Sequence, residues 1–316
     1  MSTLPAGSGT QAPLSLSPSA MDVPGTLRDA LVARVPDYLQ IIKPKISLLV
    51  LLAVSAGWFL APGAPLAALW PALIGVALVA TGSTALNQWY ERDTDCRMAR
   101  TVNRPLPSGR LSPLEVGGFG LVCGVIGVVW LALTVNPLTA TLAALTFLLY
   151  TAAYTPLKRV TGLATAVGAI PGAMPPVLGW TAAGGSLDAG AWSLFAIVFL
   201  WQFPHFLAIA WIYKDDYNNA GLRMLPAGGR VPHLVGLVAV GYALVLLPLS
   251  LLPVVHGIAG RNYCLLALVL GTAYAVAAVW FAISETRTTA RRLLWVSLVY
   301  LPLVLLTLVW SHWLGS

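Results

Sequence analysis

Three acids within five residues, Glu91, Asp93 and Asp95, stand out in a chain of 316 residues that has only 11 Asp and Glu. Asn87 precedes Glu91 by four, so Asn87, Glu91 and Asp95 are spaced i, i+4, i+8. On an α-helix that spacing stacks side chains on one face. Two carboxylates and an amide oxygen suit a hard divalent cation such as Mg²⁺, which usually binds through few protein carboxylates together with substrate phosphates. Arg92, Arg97, Arg100 and Arg104 belong to the same stretch, and guanidinium groups pair well with diphosphate oxygens. An ordinary charged loop would account for the arginines. It would not account for the acids, because the topology signal of a membrane loop is carried by Lys and Arg.

Two further clusters have polar chemistry to offer. Phe203-Pro204-His205-Phe206 leads through Lys214-Asp215-Asp216-Tyr217 to Gly221. On one continuous helix His205 and Asp216, 11 residues apart, share a face, and Asp215 points roughly a quarter turn away. The plain readings are a histidine satisfied inside a bundle and a solvated helix end. The third cluster is Tyr154-Thr155-Pro156-Leu157-Lys158-Arg159, whose two cations are ordinary topology markers that can also bind phosphate. Acids and cations set among apolar helices read together as a Mg²⁺–diphosphate site. The chemistry that fits is ionisation of an allylic diphosphate, with metal and cations stabilising the leaving charge. The apolar surroundings would hold a hydrocarbon tail and keep water from the carbocation.

The elements that must position these residues are membrane helices. The chain is 58% hydrophobic and 9% charged, with a mean hydropathy of +0.81, whereas a soluble domain carries about 25% charged residues. Nine apolar runs lie near 45–61, 66–87, 113–134, 137–156, 161–181, 191–213, 231–254, 262–283 and 292–312. They do not alternate as β-barrel strands would. The expectation is an all-α, polytopic bundle of nine transmembrane helices. Turn signals separate the runs at 61–65, Asn136-Pro137, Gly184-Gly185 and Gly228-Gly229, and Ser112-Pro113-Leu114-Glu115 reads as a capped helix start. Nine spans put 17 of the 18 Lys and Arg on one side and only Arg261 on the other, which places the N-terminus and the acid-bearing loops in the cytoplasm. The net charge of +7 therefore reports topology, not nucleic-acid binding. Residues 1–24, rich in Ser, Pro, Gly and Ala and without Lys or Arg, read as a disordered tail. Residues 25–44 read as an interfacial helix, and 45–316 as the nine-helix domain. Cys96, Cys123 and Cys264 are scattered, forming neither a disulfide framework nor a structural zinc motif.

With the motifs in place, a resemblance emerges. Asn87-x-x-x-Glu91-x-x-x-Asp95 is similar to the first acidic motif of the UbiA-type intramembrane prenyltransferases, with Glu where many members have Asp. More narrowly, five segments resemble the protohaem IX farnesyltransferases, or haem O synthases. They are Lys43-Pro44-Lys45, Asn87 to Pro107, Tyr154 to Arg159, Gly172 to Trp180, and Pro204 to Tyr217. The resemblance covers roughly residues 38–310. It implies a nine-helix fold around a central cavity, in a bacterial inner membrane. It implies transfer of farnesyl from farnesyl diphosphate to a vinyl group of haem B, which is a substrate here and not a cofactor. The product, haem O, serves terminal oxidases directly or as precursor of haem A, so haem A synthase and oxidase assembly factors are the implied partners. Asn87, Glu91 and Asp95 would be the first Mg²⁺ ligands, and Asp215 and Asp216 the second set. Arg100, Arg104, Lys158 and Arg159 would bind diphosphate, with Lys214, Tyr217 and Met98 also contacting substrate. His205 would ligate haem or polarise its vinyl side. The second acidic motif of the superfamily usually reads Asp-x-x-x-Asp, and Tyr213 and Tyr217 occupy those places here, with the acids between them.

Three rival readings follow from the same residues. A prenyltransferase of the same fold could act on an aromatic quinone precursor. A transporter would use charged residues at membrane ends as a pathway, but would be expected to show an internal repeat, and the two acidic motifs differ in sequence. A non-catalytic haem-binding assembly factor would not need carboxylates at metal-binding spacing.

Overall fold

The computed structural model describes residues 27–61 and 65–315, and the side chains of 32–61 and 65–313. The tail expected over 1–24 lies outside the described residues. The chain divides after Pro36 into two units, and all that follows concerns Asp37–Ser316 except the start of the first helix. The elements are α1 (Leu27–Ile42), α2 (Pro44–Leu60), α3 (Leu69–Asp95), α4 (Pro113–Thr134), α5 (Pro137–Leu148), α6 (Ala164–Ala182), α7 (Ala189–Ile212), α8 (Lys214–Asn219), α9 (Leu234–Leu249), α10 (Arg261–Ile283) and α11 (Arg287–Gly315). No strand occurs among the described residues.

Local chemistry explains where the helices begin. Ser112 caps α4 by accepting from the Glu115 amide at 3.2 Å, with Pro113 at the first helical position. Asn136 caps α5 in the same way, accepting from the Thr139 amide at 2.8 Å. Between α1 and α2 the chain turns at Lys43, which adopts the left-handed conformation at φ 55°. The ring of Pro44 disfavours a right-handed helical conformation in the residue before it.

Each of the nine apolar runs becomes a helix, but they are not equally apolar. Seven helices among the described residues are long and apolar enough to cross a membrane, or eight if the bent pair around Lys43 counts as one span. The chain is thus an integral, multi-pass membrane protein, and the count of nine is approximate. The helix that falls short is α6. Its three internal prolines, Pro171, Pro175 and Pro176, dilute its hydropathy, yet most of its residues are buried. It lies tightly against α2, where a Cβ added to Gly57 would strike the Pro176 carbonyl and one added to Gly179 would strike that of Val54. Small residues that let backbones approach are the usual device of membrane helix packing. Outward faces are apolar, with Leu121, Val122, Val125, Ile126 and Val129 exposed along α4, as a lipid-facing surface requires.

The core sits around α7, whose most apolar window is 67% buried, against 28–39% for the other spans. Buried polar tips tie the neighbouring helices to it. The Tyr274 hydroxyl donates to the Trp201 carbonyl at 2.9 Å, and the Trp201 indole donates to the Ser297 carbonyl at 2.8 Å. This fixed scaffold presents the end of α3, the segment after α5, and α8 to one another.

Candidate active site

α3 is 27 residues long, about 40 Å at 1.5 Å per residue. It exceeds the roughly 30 Å hydrocarbon core by about the length of its last turns. Those turns carry the acidic face. Asn87, Glu91 and Asp95 are 3%, 8% and 1% exposed. The face holds itself together first: Asn87 Nδ2 donates to Glu91 Oε2 at 2.6 Å.

The cations come from other segments. Leu149–Tyr154 is a π-helical stretch that ends α5 and is followed by a short turn, Thr155–Leu157. Such local widening recurs at functional sites. Lys158 follows directly. Its Nζ donates to Glu91 Oε1 at 2.8 Å and to Asn87 Oδ1 at 3.2 Å, and lies 4.2 Å from the centre of the Tyr154 ring. Burial alone would lower the Lys158 pKa. Tyr154 and the Glu91 carboxylate outweigh burial and hold the ammonium above its ordinary value. The turns after α3 then bring Arg104 back, and its Nη1 donates to Asp95 Oδ2 at 2.7 Å. Thr101 Oγ1 fixes that return by donating to the Asp95 carbonyl at 2.8 Å.

These side chains line a cavity of about 190 Å³, together with Lys43, Met98, Arg100, Tyr150, Tyr154 and Tyr217. The Arg100 guanidinium lies 5.0 Å from the centre of the Tyr213 ring. One feature fits a hard cation. Asp95 Oδ1 is buried and has no hydrogen-bond partner among the described residues, and Asp95 lines the cavity together with Asn87 and Glu91. Such an orphan is costly, and a divalent ion would satisfy it. Asn87, Glu91 and Asp95 are the residues that could hold one.

Other expected residues stand elsewhere. Tyr213, with φ −107° and ψ 23°, ends α7 before α8 begins. His205 and Asp216 therefore lie on different helices, and the shared face expected of one continuous helix does not exist. His205 is inside the bundle, its Nδ1 2.7 Å from Ser297 Oγ and its ring stacked on Trp201. Asp215 is exposed and paired with Arg287 at 3.1 Å. Neither Asp215 nor Asp216 lines the cavity of the first acidic face, and no group of three His, Cys, Asp or Glu that could hold a metal forms among the described residues. Arg159 turns outward onto the Tyr90 ring, 5.0 Å from its centre. Lys214 lies 4.5 Å from the centre of the Trp211 ring, also outside this cavity.

Residues 48–301 match the family model of the UbiA prenyltransferases. The chain belongs to the UbiA prenyltransferase family. The protoheme IX farnesyltransferase of Solibacter usitatus is 44% identical over 281 residues, spanning 85% of this chain and 96% of that protein. A solved structure of digeranylgeranylglyceryl phosphate synthase shares the fold with a TM-score of 0.74 at 17% identity, covering 89% of this chain and 99% of that one. A UbiA homologue from Archaeoglobus fulgidus, bound to DMAPP and Mg²⁺, shares it with a TM-score of 0.62 at 17% identity, covering 86% and 99%. Against the second UbiA motif, the cavity in this member receives Tyr217, while the acids beside it do not reach in. Nine lining residues lay outside the expected site, among them the polar side chains of Lys43, Tyr150 and Tyr154. Lys43 and Tyr154 stood inside motifs already singled out, whereas Tyr150 enters through the π-helical stretch, which has no sequence marker.

Proposed function

We propose that this chain transfers the farnesyl group of farnesyl diphosphate to a vinyl group of haem B, giving haem O. The observation that carries the reading is the buried Asn87–Glu91–Asp95 face, with its orphaned Asp95 oxygen, in one cavity with Arg100, Arg104 and Lys158. The acceptor is supported by the likeness to protoheme IX farnesyltransferases.

Arg100, Arg104 and Lys158 would bind the diphosphate oxygens and take up their charge as the allylic C–O bond breaks. Asn87, Glu91 and Asp95 would hold Mg²⁺, which when bound supplies Lewis-acid stabilisation of the same charge. Glu91 keeps Lys158 protonated and aimed into the cavity. The diphosphate departs with the bonding pair. The vinyl π electrons then form the new C–C bond to the allylic carbon. Water adds to the resulting cation and loses a proton, leaving a hydroxyl. Apolar walls exclude water from the first of these steps. In this reading the loops bearing 17 of the 18 Lys and Arg face the cytoplasm of an inner membrane. The product passes to haem A synthase or a terminal oxidase.

The test is incubation of the purified protein with farnesyl diphosphate and Mg²⁺ in ¹⁸O-water, with either haem B or an aromatic acid as acceptor. Mass spectrometry should find a farnesylated haem carrying one ¹⁸O. Prenylation of the aromatic acid with haem B unchanged would replace the reading by its nearest rival.

A further inference from the structure

A second, wider cavity of about 1050 Å³ adjoins the first. Thr165, Ala210, Tyr217, Leu222 and Met224 line both, so the two share a border. The small cavity has the acids and suits a diphosphate head. The wide one exceeds the roughly 300–1,000 Å³ of common small-molecule sites. It has room for a large ligand that the diphosphate chemistry does not account for.

Its lining is amphiphilic. Phe203, Leu207, Val238 and Tyr242 form its apolar part. The Phe203 and Tyr242 rings stack on each other, their centres 3.9 Å apart and within 1° of parallel, which makes a rigid aromatic pair at the lining. From Phe203 to Ala210, α7 runs about 10 Å at 1.5 Å per residue. The other part is α8 and the loop after it, which bring cations. Arg223, Arg230 and Lys214 line the cavity there. Arg223 Nη1 donates to the Val160 carbonyl. Lys214 sits over Trp211. Neither Lys214 nor Arg230 has an acidic partner within ion-pair distance among the described residues. The one acid lining the cavity, Asp215, is paired with Arg287. The site therefore has excess positive charge on one side and apolar walls along the helices.

We infer that this second cavity seats the acceptor, a planar tetrapyrrole dicarboxylate, with its carboxylates at Lys214 and Arg230 and its ring along the Phe203–Tyr242 side. The inference rests on the proposed function and adds a location to it. It places the meeting of the vinyl and allylic carbons at the border that Tyr217, Leu222 and Met224 share between the two cavities. A lipid tail would match the apolar walls but would offer no negative group to Lys214 and Arg230.

The test uses the full chain in detergent and two separate readouts. Haem B binding, without farnesyl diphosphate, is followed by its Soret band. Arg230→Glu should weaken it about tenfold or more, since a charge-assisted contact becomes repulsive. Arg230→Lys should largely restore it, and the dimethyl ester of haem B should bind both variants alike. In turnover, Arg230→Glu should raise KM for haem B and not for farnesyl diphosphate, which also reports that the variant is folded. Unchanged haem B binding in Arg230→Glu, or equal weakening for the diester, overturns the inference. So does a wild-type protein that fails to bind haem B. If the wild type binds haem B as described and makes no farnesylated product, the proposed function fails and the cavity assignment stands.

Discussion

Asn87, Glu91 and Asp95 close a 27-residue helix and are 3%, 8% and 1% exposed, whereas Asp215 and Asp216 open a helix of six residues, the first exposed and the second half-buried. The two acidic groups differ in their partners as much as in their depth. Lys158 and Arg104 reach the first from separate segments. Arg287 meets Asp215 at the surface, where both side chains are more than 60% exposed. A carboxylate stays charged in a buried place only when cations and hydrogen-bond donors accompany it. Asp215 and Asp216 have a simpler use: both fall in the first turn of α8, where negative charge favours a helix N-terminus. Recurrence of acids on one side of a membrane protein is thus a weak sign of a shared site, and cations delivered to the acids are a stronger one.

The largest expected effect comes from breaking the buried pair. Lys158→Ala leaves Glu91 buried without its cation, and should cost about 3–5 kcal/mol of stability, read from thermal or denaturant unfolding in detergent. Adding Glu91→Gln should recover much of it. A loss in Lys158→Ala no larger than a surface pair's would remove the distinction between the two regions. Asp95→Asn should lower turnover on the order of 10²–10³-fold, as loss of one preorganised electrostatic group does, with far less effect on unfolding. A smaller change comes from pH. The Lys158 pKa lies above its ordinary value, so its contribution is complete below the unfolded value of about 10.4 and declines only as pH rises through the higher folded one. Stability attributable to Lys158, measured as the difference from Lys158→Ala, should therefore be flat from about pH 6 to 9 at these pKa values. The smallest effect belongs to the surface: Arg287→Ala should cost about 0.2–1 kcal/mol, the usual worth of an exposed pair.

The helical spacing made the first acidic face legible, because α3 is unbroken through Asp95 and a 3.6-residue period holds to its end. The cap at Ser112 and the turn at Asn136-Pro137, whose Asn136 caps the next helix, were legible because they too are local. The second region was not, because the helix stops at Tyr213 without Gly or Pro to announce it. Counting turns from His205 to Asp216 assumed a continuity that the chain lacks. The π-helical stretch at Leu149–Tyr154 also has no marker, so Tyr150 was not expected in the cavity. α6 shows the reverse case. Its prolines lower its hydropathy, yet its flanking turn signals and apolar run were enough to mark it. Lys43 stood in the Lys43-Pro44-Lys45 segment that carried the resemblance, but its spacing from the acids gave no sign that it joins them in one cavity.

The most direct measurement is turnover of farnesyl diphosphate and haem B by wild type, Asp95→Asn and Asp216→Asn, each confirmed folded, with farnesylated haem quantified by mass spectrometry. Wild type and Asp216→Asn should form product at rates within about threefold of each other, as expected of a substitution outside the reacting groups, and Asp95→Asn should form almost none. Comparable product from Asp95→Asn, or its loss in Asp216→Asn alone, would contradict the assignment of the chemistry to the buried end of α3.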